Sequence, residues 1–149
     1  MRNNIIYLIF SFFFISPAHS VLGEKTSTIA NENKQIQAKS HTIKSLSLYS
    51  IHELIKDGLT LREYADSDGN IFAVVWIGVT HPDLTDLLGR HHAEYHRALK
   101  DAPPANRPKL SAINANDLVV EKSGHMRAVR GRAYVPSLIP SGVSIDEIK

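Results

Sequence analysis

Between Leu59 and Leu88 the pattern of hydrophobic and polar positions changes period twice. Leu59, Leu61 and Glu63 alternate with Thr60, Arg62 and Tyr64, the two-residue period of a strand with one buried face. The run Asp66-Ser67-Asp68-Gly69-Asn70 follows. Gly69 accepts a positive φ without steric cost, so the run predicts a three-residue loop with a type I turn over Ser67-Asp68. Ile71 to Ile77 is apolar, branched and aromatic throughout, as suits a central strand covered on both faces. After Gly78 the period lengthens. Leu84, Leu87, Leu88, His91, Tyr95, Ala98 and Leu99 share one helical face. Thr80 with Asp83 three residues on resembles a capping box, and Pro82 fits a first turn. Gly89, on the opposite face, predicts a bend.

The flanking stretches are read from the same two periods. Leu46 to Leu54 alternates and predicts a strand, turned by Lys56-Asp57-Gly58 into the hairpin. The helix ends near Lys100, because Asp101 to Pro108 (DAPPANRP) cannot continue it. Leu118 to Lys122 predicts a fourth strand, Ser123-Gly124 a turn, and His125 to Tyr134 a fifth strand with a bulge at Gly131. Pro136 and Pro140 bracket an extended segment lying along the body. The predicted class is α+β: a mostly antiparallel sheet of four to five strands with one helix on one face, in the order β-β-β-α-β-β. One helix covers only one face of such a sheet.

Composition changes the picture at the N-terminus. Arg2, the apolar run Ile5 to Ile15, Pro17 and Ala18-His19-Ser20 have the layout of a secretory signal peptide, too short to span a bilayer. Residues 1–20 are therefore expected to be removed on export to the periplasm or beyond, with an uncleaved membrane anchor as the alternative. Residues 21–40 are polar and predict a flexible tether, with a weak amphipathic helix as the alternative; 41–149 is expected to form a single domain. The processed chain carries 16 basic and 15 acidic side chains. That near-neutral balance gives no steering toward nucleic acid or anionic membrane. No transmembrane segment is expected after cleavage, and the oligomeric state stays open. The chain has no cysteine, which excludes disulfides and thiol catalysis but is compatible with export.

Several motifs together carry a resemblance. Tyr49-x-x-x-Glu53, Arg62-Glu63-Tyr64, Gly69-Asn70-Ile71-Phe72-Ala73-Val74-Val75-Trp76, Pro82-Asp83-Leu84-x-x-Leu87-Leu88-Gly89 and Gly124-His125 through Pro136 resemble a family of small exported bacterial proteins, domain of unknown function 2844. The resemblance covers most of Tyr49 to Val143 and leaves out the tether and the tail from Ser144. Val79 stands where the pattern expects proline, and His91-His92 where it expects bulkier apolar residues. The resemblance implies a Gram-negative envelope location. It implies no activity, cofactor or catalytic residue.

Candidate chemistry is sparse. His92 and His96 lie four apart, so they share one helix flank and supply two ligands to a metal. No third ligand and no HExxH pattern accompany them, and a solvated flank is the plainer reading. His91 falls within the apolar stripe and reads as a core histidine. Asp66-Ser67-Asp68-Gly69 begins like a calcium loop, but Ile77 occupies the place of the bidentate glutamate, so a turn is expected. Arg127, Arg130 and Arg132 form a basic run, either an edge-protecting strand or an anionic-ligand site. No serine sits in a G-x-S-x-G elbow. No catalytic residue and no cofactor are assigned.

The remaining candidate is the sheet face away from the helix. A three-residue loop pairs Asp66 with Asn70, so Leu61 is expected opposite Val75 and Leu59 opposite Ile77, facing the helix. Thr60, Arg62 and Tyr64 then share the other face with Trp76, Val74 and Phe72. Arg62, Tyr64, Phe72 and Trp76 form the expected binding surface, a mixture that interfaces favour. Cover by the tether or by Pro136–Pro140 is the competing reading, and a two-residue Asp68-Gly69 turn would bury Trp76 under the helix. The expected function is an exported binding or interaction module with an envelope protein as possible partner. The alternatives are an enzyme, metal-assisted through His92 and His96, and a structural envelope component.

Overall fold

A computed structural model describes residues 22–25, 39–102 and 112–149. The expected signal peptide, most of the tether and most of the DAPPANRP loop lie outside the described residues.

The fold is α+β. Its frame is one antiparallel sheet of seven strands: β1 (Lys39–Ser45), β2 (Tyr49–Lys56), β3 (Leu59–Asp66), β4 (Ile71–Gly78), β5 (Ala112–Ala115), β6 (Leu118–His125) and β7 (Ala128–Tyr134). Their spatial order is β1-β2-β3-β4-β7-β6-β5. The two strands beyond the expected five, β1 and β5, are the sheet's edges. β1 begins in the last two residues of the stretch read as tether, and the β6–β7 reversal lies at Met126–Arg127 rather than at Ser123-Gly124, with Arg127 at φ 64°.

Between β4 and β5 runs a bent helical arm. Helix α1 (Leu84–Leu88) is capped by Asp83, whose carboxylate accepts from the Thr85 N–H; Thr80 is not the cap. Gly89, at φ 46°, begins a 3-10 turn (Gly89–His91), and α2 (His92–Asp101) continues. The expected bend is therefore present and sits at the glycine. Leu84, Leu87, Leu88, Tyr95, Ala98 and Leu99 pack against Leu59, Leu61, Val74, Trp76, Leu118, Val120 and Ala133 on one face of the sheet.

The β3–β4 hairpin has the expected loop: Asp66 N–H donates to the Asn70 carbonyl at 3.0 Å, Gly69 N–H donates to the Asp66 carbonyl at 3.1 Å, and Gly69 lies at φ 80°. Two residues further the register slips. Ala65 pairs with Ile71 but Tyr64 pairs with Ala73, so Phe72 is a bulge. Phe72 and Ala73 both join the core on the side away from the helix, while Val74 and Trp76 turn toward it. Leu61 therefore faces Trp76 and Leu59 faces Gly78, which corrects the expected pairing with Val75 and Ile77. The faces of β3 are as expected; those of β4 from Ala73 onward are exchanged. Trp76 is buried under the helical arm, the outcome attached to a two-residue turn but produced here by a bulge. Register runs unbroken through Gly131, where the bulge was expected.

The opposite face is covered by the end of the chain. Pro136–Leu138 is a 3-10 turn rather than an extended segment, and a second 3-10 turn, Ile145–Glu147, is capped by Ser144. Leu138, Ile139, Val143 and Ile148 pack on Tyr49, Tyr64, Phe72, Ala73, Val75 and Tyr134. The N-terminal segment is docked too. Leu22 is fully buried in the helix-side core, Gly23 N–H donates to the Ile71 carbonyl and Ile71 N–H to the Glu24 carbonyl.

Candidate binding groove

One transverse row of side chains organises the tail-side face. Glu53 on β2, Arg62 on β3, Val75 on β4, Arg132 on β7 and Glu121 on β6 lie directly opposite one another across five strands. Strand alternation puts them all on one side of the sheet. Arg62 Nε donates to Glu53 at 3.0 Å and Arg132 Nε to Glu121 at 2.6 Å, so two ion pairs flank a central valine. The Glu121 hydrogen bond raises the Arg132 pKa above its ordinary value against the opposing effect of burial. Each guanidinium has donors left over, and these hold the tail. Arg62 Nη1 donates to the Lys149 carbonyl, and Arg132 Nη1 donates to the carbonyls of Ile145 and Ile148. Tyr64 donates its hydroxyl to the Lys149 carbonyl at 2.9 Å and accepts from the Lys149 N–H at 3.1 Å. Tyr49 donates to Glu147 at 3.0 Å; burial and then that bond raise the Tyr49 pKa.

The tail splits this face into two clefts of about 450 Å³ each. One is bounded by Lys44, Leu46, Tyr49, Ile51, Arg62, Tyr64 and Glu147. Its aromatic hydroxyls and Arg62 are already hydrogen-bonded within the protein. The other lies over β4, β7 and β6. Val75 and Ile77 floor it, Ile148 forms one wall, and Ser123, Arg130 and the Arg132–Glu121 pair supply polar groups. Ile77, Arg130 and Ser123 form the next row of the sheet, and this row the tail does not reach. Ile77 is 38% exposed although it sits in a central strand. Arg130 is exposed, and among the described residues no ion pair involves it.

The expected surface residues are thus divided. Arg62 and Tyr64 line the first cleft as anchors of the tail, and Phe72 is buried beside them, with ring centroids 6.2 Å from Tyr64 and 6.1 Å from Tyr49. Trp76 lies on the other side of the sheet, its indole N–H donating to His81 Nδ1 at 3.3 Å. Val75 and Ile77 were missed because the bulge decides which way they face. Arg130 and Arg132 were legible: two residues apart on a strand, they share a face. Arg127, in the β6–β7 turn, does not join them.

The other candidates are placed as follows. The rings of His92 and His96 lie 6.0 Å apart on the flank of α2. Among the described residues no three His, Cys, Asp or Glu side chains come together in a way that could hold a metal ion. The Asp66 carboxylate accepts from the N–H groups of Asp68 and Asn70 and from the Asn70 side chain, at 2.8–2.9 Å. It is a turn-former, as expected. No helix among the described residues is long and apolar enough to cross a membrane.

Fold and face together define an α+β protein with a single seven-stranded antiparallel sheet, a helical arm on one side and its own C-terminal segment strapped across the other. The chain belongs to the family described as Protein of unknown function (DUF2844), whose model matches residues 18–148. That match extends beyond the Tyr49–Val143 core of the resemblance and takes in both the docked Leu22 segment and the tail. No curated protein and no solved structure matches the chain.

Proposed function

We propose that this protein is an exported binding module of the bacterial envelope, and that it takes its partner in the cleft over β4, β7 and β6. The carrying observation is an exposed isoleucine on a central strand, Ile77, beside Arg130, a cation with no ion pair among the described residues, in a cleft closed at its inner end by the buried Val75 and Ile148. Binding sites combine mostly apolar walls with a few polar groups that fix orientation. A central-strand isoleucine left open to solvent costs hydrophobic stabilisation that burial by a partner recovers. Export is supported by the Arg2, Ile5–Ile15 and Ala18-His19-Ser20 pattern. Cleavage after Ser20 also leaves Leu22 in the chain to fill its place in the core.

Native mass spectrometry of protein recovered from the periplasmic fraction tests both parts. The expected result is a chain beginning at Val21 with a bound partner whose mass is lost in an Ile77→Ser/Arg130→Glu double variant that remains folded. A bare chain, or a partner retained by the double variant, overturns the binding reading. A membrane-retained chain beginning at Met1 overturns the export reading.

A further inference from the structure

We infer that the ligand of this cleft is a small amphiphile with an anionic head and a short apolar chain. The inference rests on the binding reading above and adds the chemical class. Three features of the cleft select it. The first is charge. Two arginines, Arg130 and Arg132, project from β7 on the cleft side, and one carboxylate, Glu121, answers them. Glu121 is committed to Arg132, whose Nη1 also donates to the carbonyls of Ile145 and Ile148. Among the described residues, the guanidinium of Arg130 is left with its full set of donors and no anion. A guanidinium binds carboxylate, sulfonate or phosphate oxygens through paired N–H donors.

The second feature is where that charge stands. Ile77 lies directly across from Arg130 on β4, and Ser123 directly across on β6. An anion on Arg130 therefore has a hydroxyl on one side and an aliphatic side chain on the other. The third is the apolar track leading away from the head position. Val75, 4% exposed, lies on the same face of β4 as Ile77, one step inward, and the fully buried Ile148 of the tail closes the inner end. A short chain lying over Ile77 would be covered on its floor and would end where the buried Val75 and Ile148 close the cleft. The roughly 450 Å³ of space suits a small molecule rather than a folded partner. A cationic head meets Arg130 and Arg132 and is repelled, so the cleft discriminates by sign as well as by shape.

The test uses decanoate below its micellar concentration, with decyltrimethylammonium of the same chain length as the opposite-charge probe. Binding is followed by methyl NMR of the isoleucines and by calorimetry. The expected outcome is saturable decanoate binding that shifts the Ile77 methyl signals and leaves Ile145 unmoved. Arg130→Glu should weaken it about tenfold or more, the effect of losing one charge-assisted hydrogen-bonded contact and gaining a repulsion. Decyltrimethylammonium should not bind the wild type. Equal binding of both amphiphiles, or decanoate binding unchanged in Arg130→Glu, overturns the anionic class while leaving the cleft as a binding site. No decanoate binding also overturns the class; if protein from the periplasm still carries a partner lost in the double variant, the binding reading survives. Inorganic phosphate separates head from chain. Phosphate binding as tight as decanoate's would mean that the apolar track contributes nothing, and would overturn the amphiphile.

Discussion

Trp76 on β4 lies directly opposite Gly131 on β7, and the indole occupies the space a side chain at 131 would need. A β-carbon built on Gly131 collides with indole Cζ2 and Cε2 and comes within 2.7 Å of the Glu121 carbonyl oxygen. Gly131→Ala is therefore expected to destabilise the fold by about 1–3 kcal/mol, the range for overpacking a filled core. Denaturant unfolding measures it. A variant as stable as the wild type would show that the indole does not rest on Gly131.

Trp76 is the chain's single tryptophan, so its fluorescence reports this contact alone. It is 0% exposed among Leu61, Val74, Leu88 and Ala133. Blue-shifted emission that acrylamide barely quenches is expected, and Trp76→Ala should cost about 3–5 kcal/mol. Red-shifted, freely quenched emission would place the indole on an open face and remove the bulge at Phe72.

The tail is expected to be part of the fold rather than an appendage. Ile148 is fully buried against the aromatic cluster, whereas Ile145, one turn earlier, is 41% exposed. Ile148→Ala should destabilise by about 2–5 kcal/mol. Ile145→Ala should stay within about 0.5 kcal/mol of the wild type, because its carbonyl, not its side chain, meets Arg132. Equal effects from the two substitutions would contradict a specific seat for Ile148.

Asp66 makes the stability of the hairpin depend on acid. Burial pushes its carboxyl pKa upward, but bonds from the Asn70 side chain and from the N–H groups of Asn70, Asp68 and Gly69 outweigh this, and the net shift is downward. A pKa lower in the folded than in the unfolded state contributes stability that is fully present above the unfolded value. That contribution is lost as pH falls through the folded one. Stability should therefore decline below about pH 4, the ordinary carboxylate range, and Asp66→Asn should remove this part of the decline. An unchanged acid profile in Asp66→Asn would assign the loss to other carboxylates.

Where a residue's environment is made by its sequence neighbours, the sequence alone determined the result. The Asp66–Asn70 loop follows from Gly69 at positive φ and from a carboxylate that bonds its own turn. The apolar face of the helical arm, its bend at Gly89 and the face assignment of β3 follow from periodicity and from glycine's conformational freedom. The α+β class follows from the order of these elements.

What only the tertiary structure decided depends on partners distant in sequence. β1 and β5 carry weak strand patterns and are held as strands by pairing with β2 and β6. The side of the sheet taken by Trp76 was not legible, because a bulge at Phe72 alters every later alternation on β4. The indole that the bulge turns toward the helix rests against Gly131, on another strand. The candidate site inherits this dependence. Arg130 and Arg132 show in the sequence as a basic alternation. Their cleft exists only because the bulge turns Val75 and Ile77 toward them and the last residues of the chain close over Arg62, Tyr64 and Phe72. Local chemistry sets periods and turns; which face ends up open is settled by volumes that meet across the sheet.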